Sequence, residues 1–150
     1  MSASIRNPAA ELAIDAEADQ VRVASAWMAE VCMASGVPDD AIHRLDLCLN
    51  EALANTLSHG SPAFPRSQVH LLVDVQRDGE AGAASVTVSD AGPAFDMTQA
   101  GAKPRPKTLA DAEPGGLGLL MIRSFSDHLD YRFVDGRNVL TFTVRWMPGR

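Results

Sequence analysis

The sequence is poor in cysteine, with only Cys32 and Cys48 among its 150 residues. Both lie in apolar segments with helical spacing. Metal sites usually have more Cys and His side chains at ligand spacing, so a metal site built on these residues is not expected. We expect two reduced, buried thiols, although the sequence leaves a disulfide between them open.

The sequence also lacks an excess of positive charge. Its 13 Lys and Arg residues are outnumbered by 19 Asp and Glu residues, which gives a formal net charge of -6. A nucleic-acid partner requires a basic face on the protein, and so does an anionic membrane surface. The charge balance therefore argues against both kinds of partner.

Long apolar runs are missing as well. No segment approaches the length of a transmembrane helix, and Met1–Ala10 has no apolar run of signal-peptide length. From these two features we expect a cytoplasmic protein.

The apolar residues that are present predict one domain over residues 1–150, with residues 1–10 flexible. Helical spacing predicts one helix over Ala18–Ser35, with Gly36 as its stop, and a second from Pro38 to about His59. Alternating apolar residues predict strands at Glu11–Asp15, Val69–Val75, Val86–Asp90, Leu129–Phe133 and Leu140–Trp146. Because hairpins dominate this order, we expect an α+β fold with a mostly antiparallel sheet and helices on one face.

The connection Met97–Pro114 has no apolar period and contains three prolines. It also carries three cationic side chains, Lys103, Arg105 and Lys107. A connection of this length within a compact domain is usually functional or mobile. It is either a disordered loop or a lid over a site.

Three motifs carry candidate chemistry. In the first, Glu51, Asn55 and His59 are spaced four residues apart, so one face of the second helix carries all three. Taken alone, this stripe is no more than the solvated face of an amphipathic helix.

The second motif is Asp90 at the end of a strand, with Gly92 two residues later. This pattern suits a site where the backbone approaches a ligand closely, and it is also an ordinary turn pattern. The third motif, Gly115–Leu119, is glycine-rich and begins a helix, where free N–H groups can bind phosphate. It matches neither the Walker loop nor the dinucleotide fingerprint, and alone it is also a plain helix start.

In their order and spacing, the three motifs resemble the N box and the two glycine boxes of the GHKL ATPase superfamily. They resemble most closely the boxes of RsbW-type anti-sigma-factor serine kinases. In that family the N box has Glu-x-x-x-Asn followed by His, the first glycine box often reads Asp-x-Gly-x-x-Phe-Asp, and the second reads Gly-Gly-x-Gly-Leu. The residues that match are Glu51, Asn55, His59, Asp90, Gly92, Phe95, Asp96, Gly115, Gly116, Gly118 and Leu119.

The resemblance extends from about Ala18 to Trp146. It implies a two-layer Bergerat-type sandwich with a mostly antiparallel mixed sheet and an ATP lid loop, and it implies ATP and Mg²⁺ as ligands. Asn55 would give its side-chain oxygen to Mg²⁺, which accepts oxygen ligands. Asp90 would accept a hydrogen bond from the adenine amino group, and Gly92 would let the base approach the backbone.

Glu51 would act as the general base for an attacking hydroxyl. The phosphates would contact the segment Gly115, Gly116, Leu117, Gly118 and Leu119 and a cation of the lid. The choice among Lys103, Arg105 and Lys107 stays open. The role of His59, in the site or in packing beneath it, also stays open.

The family resemblance implies a protein serine/threonine kinase that phosphorylates an anti-sigma-factor antagonist, sequesters a sigma factor and forms a homodimer. One alternative is an ATP-dependent regulatory binding module without phosphotransfer, but such a module would not need a base at Glu51. Another is a histidine-kinase-like ATPase domain. Its first glycine box more often reads Asp-x-Gly-x-Gly, and 150 residues would not also hold a dimerisation helix with a phosphoacceptor His.

Overall fold

A computed structural model of the chain describes residues 4–6, 9–59, 68–96 and 122–148, with only the backbone described for residues 4–6, 58 and 59. Its elements are β1 (Ser4–Arg6), β2 (Ala10–Asp15), α1 (Gln20–Ala34), α2 (Asp39–His59), β3 (Gln68–Asp78), β4 (Ala81–Asp90), β5 (His128–Val134) and β6 (Arg137–Trp146). Residues 122–125 form a further helical turn. Within these ranges, no helix has both the length and the apolar character needed to cross a bilayer.

The six strands form one sheet with the order β1-β3-β4-β6-β5, and β2 also pairs with β3. All pairings among the described strands are antiparallel. The β5–β6 hairpin turns at Asp135 and Gly136, whose φ angles of 53° and 75° suit the tight turns that match strand twist. The predicted α+β fold is confirmed, and no parallel pair occurs among the described strands.

One face of the sheet carries the core. Val69, Leu71, Val73 and Val75 of β3 are all buried, as the alternation predicted. Both helices cover this face: α1 lies against β2 and β3, and α2 lies against β4 and β6. Trp27 of α1 packs at the edge of the core, as expected from the sequence.

The opposite face of the sheet is polar in its centre. The hydroxyls of Ser85 and Thr143 lie 2.7 Å apart, and those of Thr87 and Thr141 lie 3.0 Å apart across the β4–β6 pair. Such cross-strand pairs stabilise a sheet without an apolar layer above them.

The ends of the helices follow local chemistry. After α1 ends at Ala34, Gly36 adopts a φ of 80°, which a residue with a Cβ rarely accepts, so the predicted stop is confirmed. Asp39 and Asp40 lie in the first turn of α2, where acidic side chains interact favourably with the helix dipole.

The N-terminal segment adds a strand to the sheet, because the backbone of Ser4–Arg6 pairs with Gln76–Asp78 of β3. The reason is the length of β3, because β2 pairs only with its first six residues, Gln68 to Val73. The exposed edge beyond that point is covered by β1. The expected flexibility of residues 1–10 stays a prediction.

Cys32 and Cys48 are free and buried, as predicted. Burial raises the pKa of Cys32 from an ordinary 9.0 to about 11 and that of Cys48 to about 12, the latter slightly offset by the nearby Arg44. Both thiols therefore stay protonated in the folded protein near neutral pH. Above pH 9 only the unfolded chain loses these protons, so the free energy of unfolding falls as the pH rises further.

We predict that neither thiol reacts with an aromatic disulfide reagent at pH 8 in the native protein, because both are buried and protonated. Both should react in denaturant. The control is Met33→Cys, which places a thiol at a side chain that is 66% exposed. That variant should rapidly release one equivalent of the aromatic thiolate. Fast reaction of the wild-type protein would contradict the burial of Cys32 and Cys48.

Candidate functional site

A cleft opens between the second half of α2 and the ends of β4 and β6. Side chains from both layers line it: Asn55, Thr56, Val88, Asp90, Pro93, Phe95, Tyr131, Asn138 and Leu140. Two of the predicted site residues, Asn55 and Asp90, thus lie in the same cleft although they are far apart in sequence. The apolar stripe of α2 brings them together, because Leu49 and Ala52 are buried against the sheet.

Asp90 lies at the C-terminal end of β4, and its carboxylate is held from one side. Its Oδ1 accepts a hydrogen bond of 2.9 Å from the backbone N–H of Gly92 and one of 3.2 Å from Nδ2 of Asn138. No described residue donates to Oδ2. Among the described residues, donors therefore bind only Oδ1, and Oδ2 accepts no hydrogen bond from them.

Asn138 binds the loop that follows Asp90. Its Nδ2 also lies 3.3 Å from the carbonyl oxygen of Gly92 and 2.9 Å from that of Pro93. Its Oδ1 accepts a 2.9 Å hydrogen bond from the backbone N–H of Phe95 and another from the hydroxyl of Tyr131. This single side chain, only 8% exposed, holds the whole first glycine box against β6.

Tyr131 keeps its proton for this contact. Burial raises the pKa of its hydroxyl, the backbone N–H of Phe95 lowers it, and the carboxylates of Asp96 and Asp90 raise it further. The net direction is upward, so the phenol remains a hydrogen-bond donor at neutral pH.

Asn55 is a buried polar side chain with a free group. It is only 7% exposed, and its Nδ2 has no hydrogen-bond partner among the described residues. Leaving a buried amide unpaired costs about 1–3 kcal/mol. A rotation of the terminal amide by about 180° exchanges its nitrogen and oxygen, so the free position can present oxygen to a hard cation such as Mg²⁺. The Asn55 side chain is therefore suited to contact a metal ion that a bound ligand brings into the cleft.

Glu51 lies one turn before Asn55 on α2 and is half-buried, but it is not among the described residues that line the cleft. A polar contact joins α2 to α1 on the N-terminal side of Glu51. Asp46 accepts hydrogen bonds from Ser25 of α1 and, at 3.1 Å, from Nδ2 of Asn50.

The other predicted site residues lie outside the described ranges. They are the lid cations Lys103, Arg105 and Lys107 and the second glycine box of Gly115, Gly116, Leu117, Gly118 and Leu119. The side chain of His59 is not described either. Their roles stay predictions.

Sequence reasoning missed Asn138 and Tyr131 as parts of the site. A signal for Asn138 was available, because the inward alternation of Leu140, Phe142 and Val144 extends back to this polar residue. A polar side chain at a buried position needs partners, and here those partners are the glycine-box loop.

Comparison with known proteins agrees with this architecture. Residues 14–144 match the model of the histidine kinase-like ATPase domain. The chain is 40% identical over 105 residues to the serine/threonine-protein kinase BtrW of Bordetella bronchiseptica, which covers 69% of this chain and 70% of that protein.

A solved structure of the RsbU and RsbW domains of Rv1364c from Mycobacterium tuberculosis superimposes with a TM-score of 0.66 at 16% identity. The match covers 95% of this chain but only 34% of that one. The fold and cleft define an ATPase-type α+β sandwich. The chain belongs to the histidine kinase-like ATPase domain family, in agreement with the GHKL resemblance of its motifs.

We predict that Asn55→Leu does not lower the free energy of unfolding of the nucleotide-free protein. The substitution removes an unpaired buried amide worth about 1–3 kcal/mol and keeps a side chain of similar size. The matched control is Asn50→Leu, which removes a 2.7 Å hydrogen bond from Nδ2 to the carbonyl oxygen of Asp46 and should destabilise. Urea unfolding measures both, and a clear loss of stability in Asn55→Leu would show that the amide is paired.

Proposed function

We propose that the chain is an ATP-dependent protein serine/threonine kinase that uses Mg²⁺. The observation that carries this proposal is the 40% identity to a protein named as a serine/threonine kinase. The cleft supports it, because two separate motifs supply an acceptor carboxylate and a free amide to one place.

The base of ATP would lie between the apolar walls of the cleft and donate its amino N–H to Oδ2 of Asp90. Gly92, which has no side chain, allows the base to approach the backbone. Asn55 would hold Mg²⁺, which when bound neutralises phosphate charge. The triphosphate would lie against the backbone N–H groups of Gly115–Leu119 and a lid cation, which is Lys103, Arg105 or Lys107.

Glu51 is the proposed general base. In the transfer step, the acceptor hydroxyl oxygen forms a bond to the γ-phosphorus, and the bond from that phosphorus to the bridging oxygen breaks, releasing ADP. The hydroxyl proton passes to the Glu51 carboxylate. The position of Glu51 one turn before Asn55 supports this role, since residues four apart share a helix face.

The acceptor is proposed to be a serine or threonine of a small antagonist protein of the anti-anti-sigma type. We also propose that the unphosphorylated antagonist competes with a sigma factor for this chain, that the chain acts as a homodimer, and that it works in the cytoplasm. In this proposal Glu51 is the base and the cleft holds the nucleotide, so the acceptor hydroxyl would come from the partner.

We predict that Glu51→Gln binds ATP and Mg²⁺ with nearly unchanged affinity while phosphotransfer falls by about 10²–10⁴-fold, the usual effect of losing a general base. Calorimetry and single-turnover transfer measure the two quantities. The control is Glu30→Gln, an exposed glutamate on α1 that should alter neither. Unchanged transfer in Glu51→Gln would remove this carboxylate from the chemistry. Binding without transfer in the wild-type protein would favour a regulatory binding module.

We predict that phosphorylation lowers the affinity of the antagonist for this chain. A phosphoserine adds about -1.5 to -2 charges at neutral pH, and this chain already carries a net charge of -6. Mass spectrometry locates the phosphate, and titration at two salt concentrations compares both antagonist forms. The difference in affinity should shrink at high salt. Phosphate on histidine would reject the serine/threonine assignment, and equal affinities would reject the switch while leaving the kinase intact.

A further inference from the structure

Asn138 is the polar exception in a row of apolar side chains. The inward-facing residues of β6 that follow it are all buried and apolar: Leu140, Phe142, Val144 and Trp146. Asn138 is also buried, with 8% exposed. A buried polar side chain lowers stability unless its hydrogen bonds are made, so its presence at this position requires a compensating role.

The amide of Asn138 is fully used by the protein. Its oxygen has two lone pairs and accepts from two donors, the N–H of Phe95 and the hydroxyl of Tyr131. Its two N–H groups are shared among three acceptors, of which the nearest is the carbonyl oxygen of Pro93 at 2.9 Å. No hydrogen-bonding capacity remains for a ligand. This differs from Asn55, whose Nδ2 has no partner within the described ranges.

The hydrogen bonds of Asn138 orient the carboxylate of Asp90. The N–H of Gly92 and Nδ2 of Asn138 both bind the same oxygen, Oδ1. Two donors on one oxygen fix the plane of the carboxylate and leave the acceptor capacity of Oδ2 to the cleft. The Gly92 contact lies within the loop two residues from Asp90, whereas Asn138 belongs to the neighbouring strand of the sheet, where it pairs directly with Asp90.

We infer that Asn138 is a positioning residue for base recognition. It orients the carboxylate of Asp90 so that the cleft selects nucleotides whose base carries an exocyclic amino group. This inference rests on the proposed binding of ATP, and it adds a specificity determinant outside the three sequence motifs.

The test compares two nucleotides that differ only in that group, ATP and purine riboside triphosphate, which lacks the 6-amino group. Calorimetry with Mg²⁺ gives the ratio of their dissociation constants. In the wild-type protein ATP should bind about 10–100-fold more tightly, the value of one hydrogen bond to a charged acceptor. In Asn138→Ala the ratio should fall by about tenfold, mainly through weaker ATP binding, because the carboxylate is no longer oriented.

A purely structural role predicts a different result, since loosening of the cleft would weaken both nucleotides equally and leave the ratio unchanged. That result would overturn the inference. The matched control is Thr141→Val, which removes a 3.0 Å hydroxyl pair from the opposite face of the same strand and should leave the ratio unchanged.

Asn138→Ser is measured alongside Asn138→Ala, because serine keeps a polar group at the buried position and should disturb folding less than alanine does. The ratio in whichever variant folds, as judged by a cooperative thermal transition, decides the question. A wild-type ratio near one would also overturn the inference. If the wild-type protein binds neither nucleotide, the proposed function itself fails, and this outcome is distinct from a change in the ratio.

Discussion

The packing of α2 onto the sheet is the interaction on which the site depends. Leu45, Leu49 and Leu53 are completely or almost completely buried, and each such side chain contributes about 1.5–3 kcal/mol when removed from water. This apolar contact sets the height and rotation of α2 above β4 and β6. Asn55 faces the end of β4 because it belongs to the same helix side, so the core and the cleft share one packing surface.

The site itself consists of polar groups at the border of this core, and these groups differ in whether the protein satisfies their hydrogen bonds. Asn138 is satisfied by the protein and therefore adds rigidity to the loop that follows β4. Asn55 has an Nδ2 with no partner in the described part of the chain and therefore favours any ligand that pairs with it. A buried polar group without a partner lowers stability. Asn138 thus marks the part of the cleft whose hydrogen bonds the protein itself completes, and Asn55 marks the part where a ligand would complete them.

Much of this architecture could be predicted from local sequence rules. The alternation in β3 follows from side-chain period and the stop at Gly36 from backbone freedom, and the structure agrees with both. The joining of Asn55 and Asp90 was predicted only through the family resemblance. The pairing of β1 with β3 and the role of Asn138 depend on which strands become neighbours, and no local pattern determines that.

The charges of the described cleft explain how it could divide the recognition of a nucleotide. Its lining residues include one carboxylate, Asp90, and no Lys or Arg. Such a surface attracts an N–H donor of a base and repels a phosphate. In a chain of net charge -6, the proposed triphosphate would therefore gain its stabilisation from the proposed Mg²⁺ and from cations or N–H groups beyond these residues. The lid cations and the second glycine box are the sequence features suited to that part. If the chain binds ATP as proposed, the strands would recognise the base and elements outside the sheet would contact the phosphates, so ATP and ADP would differ only in contacts made outside the sheet.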